Sequence, residues 1–247
     1  MDLQTLQTHT LERLGETGTS GYYTGAEAIG ALNAAQRIFV LLTLALEKTT
    51  VFPLAPNTVF YHLLDSLPDF LLPLRIRVTG GARVKPGRLQ DFDALNPTWQ
   101  LAAGNPERYA CLGFDFLVLY KTPPDSTVSL DLTHAYSPAL MTSLSVTPQI
   151  PEEYHAALID FAVPYLRMKE GASEFTKSLF MMDRFLTAAQ KMANFVRARN
   201  LAQRYDRMPF ALDRFDRSKL LKLAIKQQKP AMLAIPQAEG KLVPTNG

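Results

Sequence analysis

The sequence predicts an α+β chain: a helical bundle formed by the N- and C-terminal segments, an inserted β-rich domain between them, and an extended C-terminal tail. Three observations lead there. Apolar residues recur in steps of three and four near both ends, as Ala28, Leu32, Ala35, Phe39, Leu42 and Leu46 and again as Phe175, Leu179, Met182, Leu186, Ala189, Ala193 and Val196, a spacing that puts them on one side of an α-helix. Between the two stripes the pattern changes to short apolar runs broken by Pro and Gly, the signature of strands and turns. After Pro209 comes a Pro-punctuated stretch. The expected segments are residues 1–48 for the first helices of the bundle, 49–149 for the β-rich insertion, 150–208 for the returning helix pair and 209–247 for the tail.

A first short helix is expected from Leu3 to Leu14, then a loop rich in Gly, Thr and Ser from Gly15 to Gly25. Thr24 and Glu27 fit a capping box, in which each side chain satisfies a free backbone N–H of the helix start. The second helix therefore begins there, and it should end near Lys48, where β-branched Thr49, Thr50 and Val51 lead to Pro53. Strands are expected over Thr49–Leu54, Val59–Leu63, Leu74–Thr79, Tyr109–Gly113, Phe116–Tyr120 and Val128–Leu132, with Gly80 and Gly81 as a hairpin turn. Arg88 to Leu95 reads as a short helix, and Asn96-Pro97-Thr98-Trp99 as a turn presenting the only tryptophan. Ser137 to Ile150, with Pro138 and Pro148, reads as an extended return path.

Pro151 suits the first position of the next helix, and Glu152 and Glu153 suit the positive end of its dipole. Tyr154, Leu158, Phe161 and Tyr165 give that helix a buried side, with a kink expected at Pro164. After a break at Lys169-Glu170-Gly171-Ala172-Ser173, one long helix should run to about Arg207.

Composition narrows the function classes. A chain of 247 residues, 47% of them hydrophobic, buries a substantial core. The single Cys111 excludes an internal disulfide framework and points to a reducing compartment. The polar N-terminus does not read as a secretory signal. The most apolar run, Ile38 to Leu46, falls well short of the roughly 20 residues that a membrane span requires. The formal net charge of +3 is unevenly spread: residues 1–150 hold 10 basic and 13 acidic side chains, net −3, and residues 151–247 hold 16 and 10, net +6. A basic C-terminal part suits a polyanion or an acidic protein surface, or simply solvated helix faces.

Catalytic patterns are missing from the sequence. His9, His62, His134 and His155 show no ligand spacing, Asp91/Asp93 and Asp65/Asp69 imply no third ligand, and the glycine loops lack a phosphate-loop ending. No enzyme activity, cofactor or metal is expected. On the long helix Lys177, Arg184 and Lys191 recur every seven residues and share one side, and Arg197 and Arg199 thicken the charge. That side reads as a solvated face, a face bridging neighbouring subunits, or a contact for DNA phosphates, which need only positive potential; no base-reading pattern accompanies it. The helical aromatics are expected on the apolar stripes and not among these cations. In the tail, Leu220, Leu221, Leu223, Ile225, Met232, Leu233, Ile235 and Leu242 lie too far beyond the last helix to be needed by its core, and suit a partner's surface.

Several stretches, in this order, carry a resemblance: Ala31-Leu32-Asn33-Ala34-Ala35-Gln36-Arg37, Pro68-Asp69-Phe70-Leu71-Leu72-Pro73-Leu74-Arg75, Leu95-Asn96-Pro97-Thr98-Trp99, Arg108-Tyr109, Leu119-Tyr120 with Pro123-Pro124, Ile150-Pro151-Glu152-Glu153-Tyr154-His155 and Tyr165-Leu166-Arg167-Met168-Lys169-Glu170-Gly171. Over roughly Gly30 to Pro209 the chain resembles the head-to-tail adaptor (connector, or neck) proteins of tailed bacteriophages. The resemblance implies a virion protein assembled in the host cytoplasm, forming a ring, usually of twelve copies, beneath the portal protein. Its partners would be the portal, further copies of itself, a downstream tail or nozzle protein, and genomic DNA passing without sequence recognition, with no membrane involved. It also implies that the tail reaches the portal, although the tail is longer here than in a minimal adaptor. A tail-tube or tail-completion protein and a nonspecific DNA-binding protein fit the same features.

Overall fold

The computed structural model describes residues 1–16, 21–113 and 115–202, so the tail residues singled out above lie outside the described residues. Among these, seven α-helices and seven strands form a mixed α+β structure in which the strands make one curled sheet.

Helix α1 (Leu3–Leu14) starts where the Asp2 carboxylate accepts the Thr5 N–H at 2.9 Å, and stops at Gly15, whose left-handed φ of 83° closes its last turn. Helix α2 (Gly25–Thr43) carries the expected capping box at Thr24 and Glu27. It ends earlier than Lys48. Leu44 adopts a left-handed φ of 51°, a strained conformation for a branched side chain, and the chain turns directly into strand β1 (Glu47–Pro53). Leu44 and Leu71 pack against Leu72, Leu74 and Ala135 of the sheet, and this burial offsets the strain.

The remaining strands are β2 (Phe60–His62), β3 (Phe70–Val78), β4 (Arg83–Pro86), β5 (Arg108–Leu112), β6 (Phe116–Tyr120) and β7 (Ser129–Tyr136), with short helices α3 (Leu63–Ser66) and α4 (Leu89–Leu95) between them. The sheet order is β1-β7-β3-β4-β5-β6-β2, with only β4 and β5 parallel. Pro73 lies inside β3, where a missing N–H would break a ladder. It sits between two register shifts against β7, in a part of the strand that β4, paired only at Ile76 and Arg77, does not flank. Inside the curl, Phe52, Tyr61, Ile76, Val84, Tyr109, Leu117, Leu130 and Leu132 form one core. A second core, of Phe92, Trp99, Ala110 and Val118, is covered by α4. Trp99 is therefore not presented to solvent: it is buried, and its indole N–H donates to Asp93 at 2.8 Å.

The chain returns from β7 along an irregular path. Pro151 keeps an extended conformation before a 3₁₀ turn (Glu152–Tyr154), and helix α5 (His155–Arg167) begins four residues later than expected. It continues past Pro164, which falls in its last turn and removes the N–H that would bond the Asp160 carbonyl. The expected buried side of this helix is too narrow, since nearly every residue from Ala157 to Leu166 is buried except Tyr165. The reason is position: α5 packs on α1, α2 and α7 at once.

The long second helix is divided. Helix α6 (Ala172–Lys177) closes at Ser178, whose hydroxyl bonds back to the Phe175 carbonyl at 2.8 Å, and α7 (Leu179–Ala202) starts afresh. The break resets the helical phase. Met181, Phe185, Ala189, Met192 and Val196 are buried, whereas Leu179, Met182 and Ala193 of the expected stripe are only half-buried. Phe185 stacks its edge near both Phe39 (5.9 Å) and Phe161 (4.9 Å), joining α2, α5 and α7.

Candidate functional site

Most of the polar side chains that the sequence places in unusual positions join one element to another. On α2, Asn33 and Gln36 lie three residues apart and so share a face. Asn33 donates to the Met141 carbonyl (3.1 Å) and accepts the Met141 N–H (2.8 Å). Gln36, buried, donates to the Ala139 carbonyl (3.3 Å) and accepts the Gln149 N–H (3.0 Å). A path without strand partners is thereby given the backbone bonds it lacks. Sequence reasoning could have found this from two amides inside an apolar stripe.

The break after α5 is held similarly. Lys169 binds the Glu27 carboxylate at 2.9 Å and the Tyr22 carbonyl at 3.1 Å, with its ammonium 4.5 Å from the Tyr22 ring centre. The neighbouring Glu170 accepts the Tyr23 hydroxyl. Bonding to the Thr24 backbone, followed by the Lys169 pair, lowers the Glu27 carboxyl to about 2. At the other end of the bundle, the N-terminal ammonium lies 3.1 Å from His155 Nδ1 and 3.4 Å from Glu152, while His155 Nε2 meets the Ile150 carbonyl at 3.0 Å.

Asp160 is, among the described residues, the one carboxylate buried in the helical layer, 4% exposed. Arg13 of α1 reaches it at 2.8 Å and Arg184 of α7 at 3.2 Å. Burial pushes its carboxyl up, and the Arg184 and Arg13 charges pull it back. No local pattern marks this triad, whose members come from three helices.

Of the basic residues expected to share one side, Arg184 and Lys191 of α7 line one surface cavity with Asp160, whereas the break at Ser178 puts Lys177 on another helix. Lys177 belongs to α6 and pairs with Glu174. Arg184 is turned to Asp160, and Arg199 binds Glu47 at the start of β1 at 3.0 Å. Lys191 and Arg197 remain exposed on α7. Phe180 and Phe195 lie on the side of Lys191, 63% and 61% exposed, so these helical aromatics lie outside the buried stripe. The other flagged side chains also have structural partners: Asp91 caps α4, Asp93 holds Trp99, and the Cys111 thiol is pushed up to about 12 by burial. His62 is bracketed by Asp65 and Asp115, each at 2.7 Å. No helix among the described residues is long and apolar enough to cross a membrane.

These side chains join the helices, the return path and the curled sheet of a mixed α+β structure to one another. The model of one family, described as SU10 adaptor protein, matches residues 1–214. The chain belongs to that family and is a head-to-tail adaptor of tailed bacteriophages. No curated protein matches it. Several of the stretches that carry the resemblance contain joints: Asn33 and Gln36, Asp69 paired with Lys48 at 2.6 Å, buried Trp99, His155, and Lys169 with Glu170.

Proposed function

We propose that this chain is a subunit of a ring of twelve copies beneath the portal, one that extends the DNA channel and offers a platform to the next tail component. The family match over residues 1–214 carries the reading. One exposed side of α7 supports it, because Phe180 and Phe195 expose apolar area beside Lys191, which a neighbouring subunit would cover. Lys177, Arg184 and Arg199 join that boundary or the channel wall only through what their intrachain pairs leave available. The bundle of segments 1–48 and 150–208 serves as scaffold for the insertion, and the tail from residue 209 docks the portal through Leu220 to Leu242, as a peptide in a groove.

Electron microscopy of the protein mixed with its portal tests the reading. A closed ring coaxial with the portal is expected, and a chain shortened to residue 208 should keep its helices and lose portal binding. A protein that stays monomeric beside the portal overturns the ring, and full affinity in the shortened chain overturns tail docking.

A further inference from the structure

A further charged region lies on the sheet. From Phe70 to Gln90 the chain has five basic residues, Arg75, Arg77, Arg83, Lys85 and Arg88, and no acidic one. The alternation of β4 buries Val84 and sends Arg83 and Lys85 to the opposite side. Parallel pairing then sets Lys85 directly beside Arg108 of β5. The three cations line a surface cavity of about 390 Å³, with Gly81 of the hairpin turn and Asn105 in its wall. The carboxylate there, Glu107, is held by Lys121 at 2.5 Å. Neither Lys85 nor Arg108 has an ion pair among the described residues.

We propose that this cavity binds the phosphodiester backbone of duplex DNA without reading its sequence. Strand geometry spaces Arg83 and Lys85 by about 7 Å along β4 and Lys85 and Arg108 by about 5 Å across the pairing, so one phosphate can be approached by more than one cation. The lining has no aromatic ring on which an unpaired base could stack. Nor has it the alternating apolar pockets by which an extended acidic peptide is selected. What remains is positive potential in a concave wall, which suffices for backbone contact. The proposal deepens the adaptor reading, on which it rests for the identity of the nucleic acid, and it moves the DNA contact from α7 to the inserted sheet.

The test is the anisotropy of a labelled mixed-sequence duplex titrated with the full chain, between about 50 and 200 mM salt. Three phosphate contacts would weaken wild-type binding by about 40-fold over that range. R83A/K85A/R108A should lose most of this salt dependence and affinity, R83K/R108K should keep most of both, and K177A/K191A/R197A should match wild type. Lys85→Glu, at an exposed position, serves if the triple variant does not fold. Unchanged binding by the triple variant or by Lys85→Glu overturns the proposal, as does loss of binding in the α7 variant alone. Poly-glutamate competing as well as unlabelled duplex would point to an acidic protein partner and also overturn it. Portal docking is not read in this assay, so failure here leaves the ring reading standing, and failure of the ring leaves this result standing.

Discussion

Removing the two arginines around Asp160 should expose how much the bundle depends on a single buried charge. The Asp160 side chain is 5% exposed, while Arg13 and Arg184 are 40% and 59% exposed. Breaking a buried pair from one side costs about 3–5 kcal/mol. Here solvent already screens both guanidiniums, so Arg13→Ala or Arg184→Ala alone should cost about 1–2 kcal/mol. The double variant should cost about 3–5 kcal/mol, more than the sum, because only then does the carboxylate lose every counter-charge. Adding Asp160→Asn to the double variant should recover most of the loss. The pH sign follows from burial, which raises the Asp160 carboxyl above its ordinary value near 3.8. Its contribution to stability is thus full below that value and is lost as pH rises through the elevated one. The penalty in the double variant should accordingly shrink on acidification. Urea unfolding followed by circular dichroism, at neutral pH and near pH ~4, measures all of these. Additive losses, or no rescue by Asp160→Asn at neutral pH, would show that the arginines act by packing alone and refute the electrostatic account.

Two further outcomes follow from the joints. Gln36→Ala leaves the Gln149 N–H and the Ala139 carbonyl without their side-chain partner and should cost about 1–3 kcal/mol, with faster amide exchange or proteolysis confined to residues 137–150; unchanged protection there would mean the path is held by other contacts. His62 is raised first by bonding to Asp65 and then to Asp115, so the stability it gives is complete below pH ~6.5 and disappears as pH rises through its elevated folded value. Melting temperature against pH should show that step in the wild type and not in His62→Asn, and equal profiles would dismiss the cluster as a stabilising element.

Much of the fold could be read from local pattern. Helix α1, the Thr24 capping box, the Gly80-Gly81 hairpin and strand β6 depend on residues close in sequence, and each lies where spacing and turn chemistry put it. The misplaced features depend on distant partners. The end of α2 at Leu44 is decided by packing on β3 and β7, the burial of Trp99 by the sheet beneath α4, and the all-round burial of α5 by three neighbouring helices. The split at Ser178 was less visible because serine is compatible with a helix, and only its hydroxyl bond to Phe175 marks the stop. Site residues were harder still. Counting charge along the chain pointed to the C-terminal part, yet Arg184 and Arg199 are engaged within the subunit. Parallel pairing of β4 with β5 gathers cations from a segment of overall acidic balance.

The register of β1 against β7 has a consequence for how the chain closes. Glu47 faces Ala135, and the Tyr136 N–H bonds the Leu46 carbonyl at 3.2 Å, so the two ends of the insertion meet side by side like the neck of a drawn purse. Asn33 and Met141 are 108 residues apart in sequence, but once that neck is zipped the chain between them is effectively about twenty residues long. By loop-closure entropy this shortcut favours their contact by about 1.5 kcal/mol. A contact that is long-range in sequence becomes local in the folding chain, and the sheet can vary in size above its neck without lengthening the route by which the helices find one another.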